Sequence, residues 1–269
     1  MKSFVDDLGK RFVITGEFEP PSGVSDSFLE KARKFKPYVD AINSTDSPLG
    51  KPHLSALVAS YLVKKELGME PVLQMCARDR NKVAIINDLL GASLLGVNHV
   101  LCLAGDYPKD AKPVYDLDST RFARLVKEEM PKKYPGFEMK AGVAYNPMCK
   151  PNEPEQIVLE KKMKWADFVQ TQMVFDFDLL DNKAVQNFKE KILVGVLPLL
   201  SKGMAEYFNN NVPGVSIPPE TIKSINAPED GIKLANEITK AAKKEGFGGA
   251  HLMVFDVEDR IPEILAGLV

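Results

Sequence analysis

The chain has 269 residues, 45% of them hydrophobic and 27% charged, and a formal net charge of -2. Such a chain can bury a sizeable core, and its charge gives no electrostatic reason to expect nucleic acid as a partner. No run of 18 apolar residues suggests a membrane span, "MKSFVDDLGKRF" is too charged for a secretory signal, and the three cysteines lack metal-binding spacing; the expectation is a cytoplasmic protein with reduced thiols and no metal.

The first β-rich run is "RFVITGEF" (11–18), followed by a helical pattern, "SDSFLEKARKFK" (25–36), that Ser25 or Asp26 would cap. "VDAINST" (39–45) leads into the helix "HLSALVASYLVKKELG" (53–68), with Gly68 as its stop. "PVLQMC" (71–76) precedes "RNKVAIINDLLGASLLG" (80–96), for which Asp79 is the expected cap and Gly96 the stop. "NHVLCLAG" (98–105), "KAGVAY" (140–145), "DFVQTQM" (167–173) and "ILVGVLP" (192–198) follow, with weak helical signals after the fourth and sixth runs. "APEDGIKLANEITKAAKKEG" (227–246) is a helix with acids early, lysines late and Gly246 at its end, and "AHLMVFD" (250–256) is the eighth strand.

Most of these runs are almost continuously apolar, as in strands covered on both faces of a parallel sheet. No polar linker marks a second domain, so residues 1–269 read as one (β/α)8 barrel, with an open doubly wound sheet as the alternative. A barrel of this kind carries its chemistry at the C-terminal ends of its strands. Those ends hold Glu17, Thr45 and Asp46, Cys76 and Arg78, Asp106, Asn146, Gln172, Pro198 and Asp256.

Alternation along "ITGEFEP" puts Thr15, Glu17 and Glu19 on one face and Ile14, Gly16 and Phe18 on the other. Glu17 lies nearer the strand body, where desolvation would favour a protonated carboxyl able to donate. Glu19 abuts Pro20 and reads as a solvated loop acid. "LCLAGDYP" ends in small residues that let a flat ligand approach the backbone; Asp106 either tunes that ligand or caps the turn. In "MCARDRN", Arg78 suits an anion, while Asp79 reads as an ion-pair and capping residue. Gln172 could read a planar heterocycle by paired hydrogen bonds, or satisfy backbone groups. His251 within "AHLMVF" reads as a satisfied core histidine, and Met204 and Phe208 share a helical face that either packs or walls a pocket. Dinucleotide-fold, Walker and nucleophile-elbow motifs are absent from the sequence.

Taken in order, "ITGEFEPP", "RDRN", "DLLGASLLGVNHVLCLAGDYP", "DFVQTQMVFD", "VGVLPL" and "GFGGAHLMVFD" resemble the methylenetetrahydrofolate reductase family in its short, catalytic-domain form. The resemblance implies a (β/α)8 barrel with a flavin at the strand ends, FAD with FMN as the alternative. The flavin takes hydride from NADH or NADPH and passes it through N5 to 5,10-methylenetetrahydrofolate. By position it makes Glu17 the general acid, Asp106 the carboxylate beside flavin and pterin, and Gln172, Met204 and Phe208 the substrate contacts. Thr45, Leu103, Ala104, Gly105, Asp106, Tyr115, Asp116, Asn146 and Lys161 fall at flavin positions.

Departures from the family pattern are Trp165 for a glycine, Met204 for a glutamine, Val257 near the place of an arginine, and Leu73 and Lys150 at histidine positions. The resemblance also implies alternatives: methyl-pterin oxidation, a modified pterin, or a folate-handling subunit beside an electron-delivering or methyltransferase partner. A homo-oligomer is compatible with the sequence.

Overall fold

Eight short strands, each dense in β-branched and apolar residues, alternate with helices and close on themselves. The computed structural model describes residues 3–108 and 110–268; Met1, Lys2, Lys109 and Val269 lie outside the described residues. The strands are β1 (Val13–Phe18), β2 (Ala41–Ser44), β3 (Pro71–Cys76), β4 (His99–Leu103), β5 (Lys140–Tyr145), β6 (Phe168–Met173), β7 (Ile192–Val196) and β8 (Gly249–Leu252). Each pairs in parallel with its sequence neighbours, and β1 pairs with β8, so the barrel is closed. The (β/α)8 reading holds, and the open sheet falls away because β8 finds its second partner in β1 rather than ending at an edge.

The helices wrap the outside: α1 (Phe28–Phe35), α2 (Ala56–Leu62), α3 (Lys82–Leu94), α4 (Ser119–Arg124), α5 (Met130–Lys133), α6 (Glu153–Lys162), α7 (Lys183–Phe188), α8 (Lys202–Asn211), α9 (Pro219–Ser224), α10 (Pro228–Lys244) and α11 (Ile261–Ile264). Gly68, Gly96 and Gly246 take the left-handed conformation that stops a helix. The expected N-caps need correction. α1 begins after Ser27, while Ser25 Oγ accepts from Ser27 N at 3.1 Å, and α3 is capped by Asn81, whose Oδ1 accepts from Ala84 N at 2.9 Å. Asp79 is instead held by the Arg78 guanidinium.

The helical signals after β4 and β6 are weak because those connections are irregular. The β4 connection runs through a loop to α4 before a π-helical turn and α5, and the β6 connection is a 3-10 turn followed by α7, six residues long. Trp165, the glycine replacement, is half-buried with the Arg124 guanidinium 5.7 Å from its ring centroid, so a cation–π contact covers its exposed face.

Outside the barrel, strand side chains such as Ile42, Leu73 and Val143 pack on helix residues such as Phe35, Ile85 and Leu89 in one continuous core. Inside, Val13, Ala41, Val72, Leu101, Phe168 and Leu193 fill the N-terminal end of the barrel, and Phe4 plugs it. Above that apolar plug the interior turns polar. The chemistry therefore faces the opposite mouth.

Candidate active site

Residues two apart on a strand face the same way, and β1 uses that rule to raise Glu17 above Thr15. Gly16 faces outward, where an added Cβ would lie 2.4 Å from the Phe35 ring. Thr15 Oγ1 and His251 Nδ1 lie 2.9 Å apart, and Gln170 Nε2 reaches the same ring nitrogen at 3.3 Å. Gln170 and Asn43 are held amide to amide, with Asn43 Nδ2 donating to Gln170 Oε1 at 2.7 Å and Gln170 Nε2 donating to Asn43 Oδ1 at 3.2 Å. One step higher, Glu17 Oε2 accepts from Gln74 Nε2 at 3.0 Å and faces His251 Nε2 at 3.2 Å. Glu17 is only 8% exposed, yet its side chain lines the cavity above.

That cavity has a volume of about 710 Å³ and occupies the C-terminal mouth. It brings together Glu17, Thr45, Leu103, Ala104, Gly105, Asp106, Asn146, Gln172, Met204 and Phe208, drawn from five of the strand ends and from α8. Glu19 also reaches its rim, paired to His53 Nε2 at 2.8 Å and half exposed. A second cavity of about 360 Å³ shares Ala104 and Gly105 with the first and contains Tyr115, Arg78 and Arg121.

Two residues assigned by position fall elsewhere. Lys161 points to solvent from α6; Lys162, one residue on, is buried at 8% exposure, lines the cavity and donates to Ala144 O at 2.8 Å. The helical step of 100° puts neighbours on different faces, so a one-residue offset decides which lysine enters. Burial holds the Lys162 pKa below the ordinary lysine value. Asp116 lines neither described cavity and accepts from Lys82 N at 3.0 Å, at the start of α3.

The loops at the mouth are tied to one another. Asp46 accepts from Cys76 N at 2.8 Å and from Arg80 at 2.6 Å, and Asp106 Oδ2 accepts from Leu49 N at 2.8 Å. Leu49 itself sits at φ 55, a left-handed conformation uncommon for leucine. Gly105, at φ +93, lies so close to the loop after β3 that a Cβ would meet Cys76 Cβ at 2.9 Å and Arg78 Cζ at 3.3 Å. On β6, the register shifts between Gln170 and Met173, and this irregularity brings Gln170, Thr171, Gln172 and Met173 all to the cavity wall. Gly195 accommodates it, since its Cβ would lie 2.6 Å from the Thr171 and Gln172 carbonyl oxygens.

Strand parity finds Glu17 but leaves its partners unread. His251 is a satisfied buried histidine, as its apolar surroundings imply, and it also touches Glu17. Gln74 and Gln170 give no motif signal. Their parity on β3 and β6 relative to the cavity wall is the one cue a sequence offers. Of the departures, Met204 lines the cavity, while Leu73 faces the outer core and Val257 packs against it. Among the described residues there is no cluster of His, Cys, Asp and Glu able to hold a metal, and no helix long and apolar enough to cross a membrane.

Comparison with known proteins gives the site its context. Among curated proteins, none matches the chain. By structure, the chain is similar to an uncharacterized protein from Clostridium thermocellum described as binding two copies of 5-methyl-5,6,7,8-tetrahydrofolic acid. The two have a TM-score of 0.66 at 13% identity, over 97% of this chain and 95% of that one. It is also similar in fold to a 2,3-dimethylmalate lyase, with a TM-score of 0.56 at 12% identity over 99% and 82% of the two chains. An EDTA monooxygenase from Chelativorans sp. BNC1 gives a TM-score of 0.56 at 9% identity over 95% and 92%. At such identities the likeness carries the barrel alone. The family model for methylenetetrahydrofolate reductase, however, matches residues 2–268, and the chain belongs to that family.

Proposed function

We propose that this protein reduces the methylene carbon of 5,10-methylenetetrahydrofolate to a methyl group, with a flavin as the hydride carrier and Glu17 as the proton donor. The observation that carries the reading is Glu17 itself: a mostly buried carboxyl at the floor of the mouth cavity, held on one oxygen by Gln74 and His251. Membership of the family and the reduced folate bound by the Clostridium thermocellum protein both support a folate ligand.

The lining fits a flavin. Thr45 Oγ1 is buried with no hydrogen-bond partner among the described residues, although a buried hydroxyl normally finds one, so a ligand polar atom is its natural complement. Ala104 and Gly105 offer bare backbone to a flat ring, and Leu103 and Met173 supply apolar cover. Lys162, and Arg78 in the adjoining cavity, are placed to meet the phosphate end. When bound, the flavin supplies the carrier of the hydride.

The chain's own residues do the rest. Glu17 protonates the bridge nitrogen of the substrate whose C–N bond breaks, leaving the methylene carbon as a cationic iminium. Asp106 favours that cation electrostatically across the cavity. Cavity acids outnumber the single lysine; Arg80 neutralises Asp46, Glu19 pairs with His53 and Glu155 lies near Lys162, which leaves Asp106 to favour a positive ligand. Gln172 and Phe208 orient the pterin, with Met204 beside them.

The test is anaerobic. The purified protein takes up FAD or FMN, identified by mass after denaturation, and the flavin is bleached by NADH or NADPH. Methylenetetrahydrofolate then restores the colour. Bleaching only by an added partner protein assigns the electrons to that subunit. A colourless protein that takes up neither flavin overturns the reading.

A further inference from the structure

We infer that His251 and Gln74 are positioning residues that fix which oxygen of Glu17 carries the transferable proton. The inference rests on the reading of Glu17 as a proton donor.

The argument begins two residues below Glu17. Gln170 and Asn43 are paired amide to amide, and Gln170 Nε2 also donates to Thr15 Oγ1 at 3.3 Å, so its NH2 lies on the side of His251 Nδ1, likewise 3.3 Å away. An amide nitrogen donates and does not accept. Nδ1 is therefore the acceptor, the Thr15 hydroxyl at 2.9 Å can donate to it as well, and the ring hydrogen sits on Nε2. That hydrogen points at Glu17 Oε2, which Gln74 Nε2 also approaches at 3.0 Å. Oε2 thus accepts two N–H bonds, and no described residue hydrogen-bonds Oε1. An oxygen already accepting two donors is a poor place for a proton. The acidic hydrogen of Glu17 is carried on Oε1, the oxygen left for substrate.

The same two donors act after transfer. The proton leaves Oε1 for the bridge nitrogen, which keeps the electron pair of the broken C–N bond. The negative charge left on Glu17 is stabilised by His251 and Gln74, because hydrogen bonds to the charged form favour it. Water in the open cavity returns the proton between turnovers. The other charged side chains of the lining are engaged elsewhere: Glu19 with His53, Asp46 with Arg80, Asp106 with Leu49 N, and Lys162 with Ala144 O beside Glu155. His251 is the ionisable side chain hydrogen-bonded to Glu17.

The experiment separates the two half-reactions by rapid mixing in the flavin-loaded protein, with flavin binding and thermal unfolding as checks on folding. Glu17→Gln comes first; if it passes hydride to the folate normally, the underlying reading fails. With Glu17→Gln inactive toward folate, His251→Leu and Gln74→Leu are expected to slow folate reduction about tenfold each while flavin reduction is unchanged. His251→Gln, which restores an N–H donor, recovers much of the rate. Independently, 15N spectra of the flavin-free protein show the His251 hydrogen on Nε2, and Gln170→Glu moves it to Nδ1. Folate half-reaction profiles of His251→Leu and Gln74→Leu superimposed on the parent would overturn the inference with Glu17 still the acid. If His251→Leu fails to fold, Gln74→Leu and the 15N spectra decide.

Discussion

Asp106 Oδ2 accepts a hydrogen bond from Leu49 N at 2.8 Å, so the loop after β4 is latched to the loop after β2 across the cavity mouth. The carboxylate has two tasks that substitution can divide. Asparagine keeps an oxygen for Leu49 N but removes the charge. Asp106→Asn is therefore expected to bind flavin and accept hydride normally, while folate reduction slows on the order of 10²-fold, the scale for a lost electrostatic group in a catalytic site. Asp106→Ala also loses the latch and weakens flavin retention. Stopped-flow traces of the two half-reactions check both. Unchanged folate turnover in the asparagine variant would relegate Asp106 to the latch.

Thr45 offers a test that does not depend on turnover. Its buried hydroxyl has no partner among the described residues, so the cofactor-free fold gains nothing from it. Valine has nearly the same shape, and removing an unsatisfied buried hydroxyl is neutral or stabilising. Thr45→Val is expected to leave the unfolding temperature of the flavin-free protein unchanged or raised, and to weaken flavin binding about tenfold, read by titration. Equal affinity for flavin would place the hydroxyl away from the ligand.

The split between what sequence gives and withholds follows from range. Parity within β1 predicts the orientation of Glu17 because a strand alternates by local geometry, and the structure keeps it. Gly68, Gly96 and Gly246 are legible for the same reason, each being a local answer to a helix end. The His251–Glu17 contact joins residues 234 apart, and only barrel closure between β1 and β8 creates it. Helix phase is local too, but α6 starts after a loop with no strong signal, so Lys161 and Lys162 cannot be told apart without the fold. Asp79 and Asn81 compete for one cap, and the ion pair with Arg78 withdraws Asp79 from that contest.

Lys162 has a lowered pKa because it is buried, and its one described hydrogen bond goes to the Ala144 carbonyl. An amine whose folded pKa lies below its unfolded value binds fewer protons in the folded state. Stability therefore rises with pH through that interval. The cost is fully present below the folded pKa and is gone once pH passes the unfolded value of about 10.4. Lys162→Met is expected to raise the unfolding temperature of the flavin-free protein by about 2–4 °C at neutral pH, with the gain shrinking as pH approaches 10. The same change weakens FAD and FMN binding about tenfold but leaves riboflavin, which lacks phosphate, unaffected. Calorimetry across pH and titration with the three flavins check the two halves separately. An equal loss for riboflavin would remove Lys162 from the phosphate end.

Gly195 tests the β6 irregularity that turns Gln172 toward the cavity. An alanine Cβ there would lie 2.6 Å from the Thr171 and Gln172 carbonyl oxygens, which are backbone and cannot rotate away. Thr171 also braces the site, its Oγ1 accepting from Gly195 N at 2.8 Å. Relief requires β6 to move away from β7, so Gly195→Ala is expected to cost about 1–3 kcal/mol of stability, measured by denaturant unfolding. Because the displaced residues carry Gln172, the folded fraction should show a raised KM for folate with flavin reduction intact. A Gly195→Ala variant with parental stability and parental folate KM would mean that the β6 wall yields without moving Gln172, and that the irregularity is not what holds the glutamine in place.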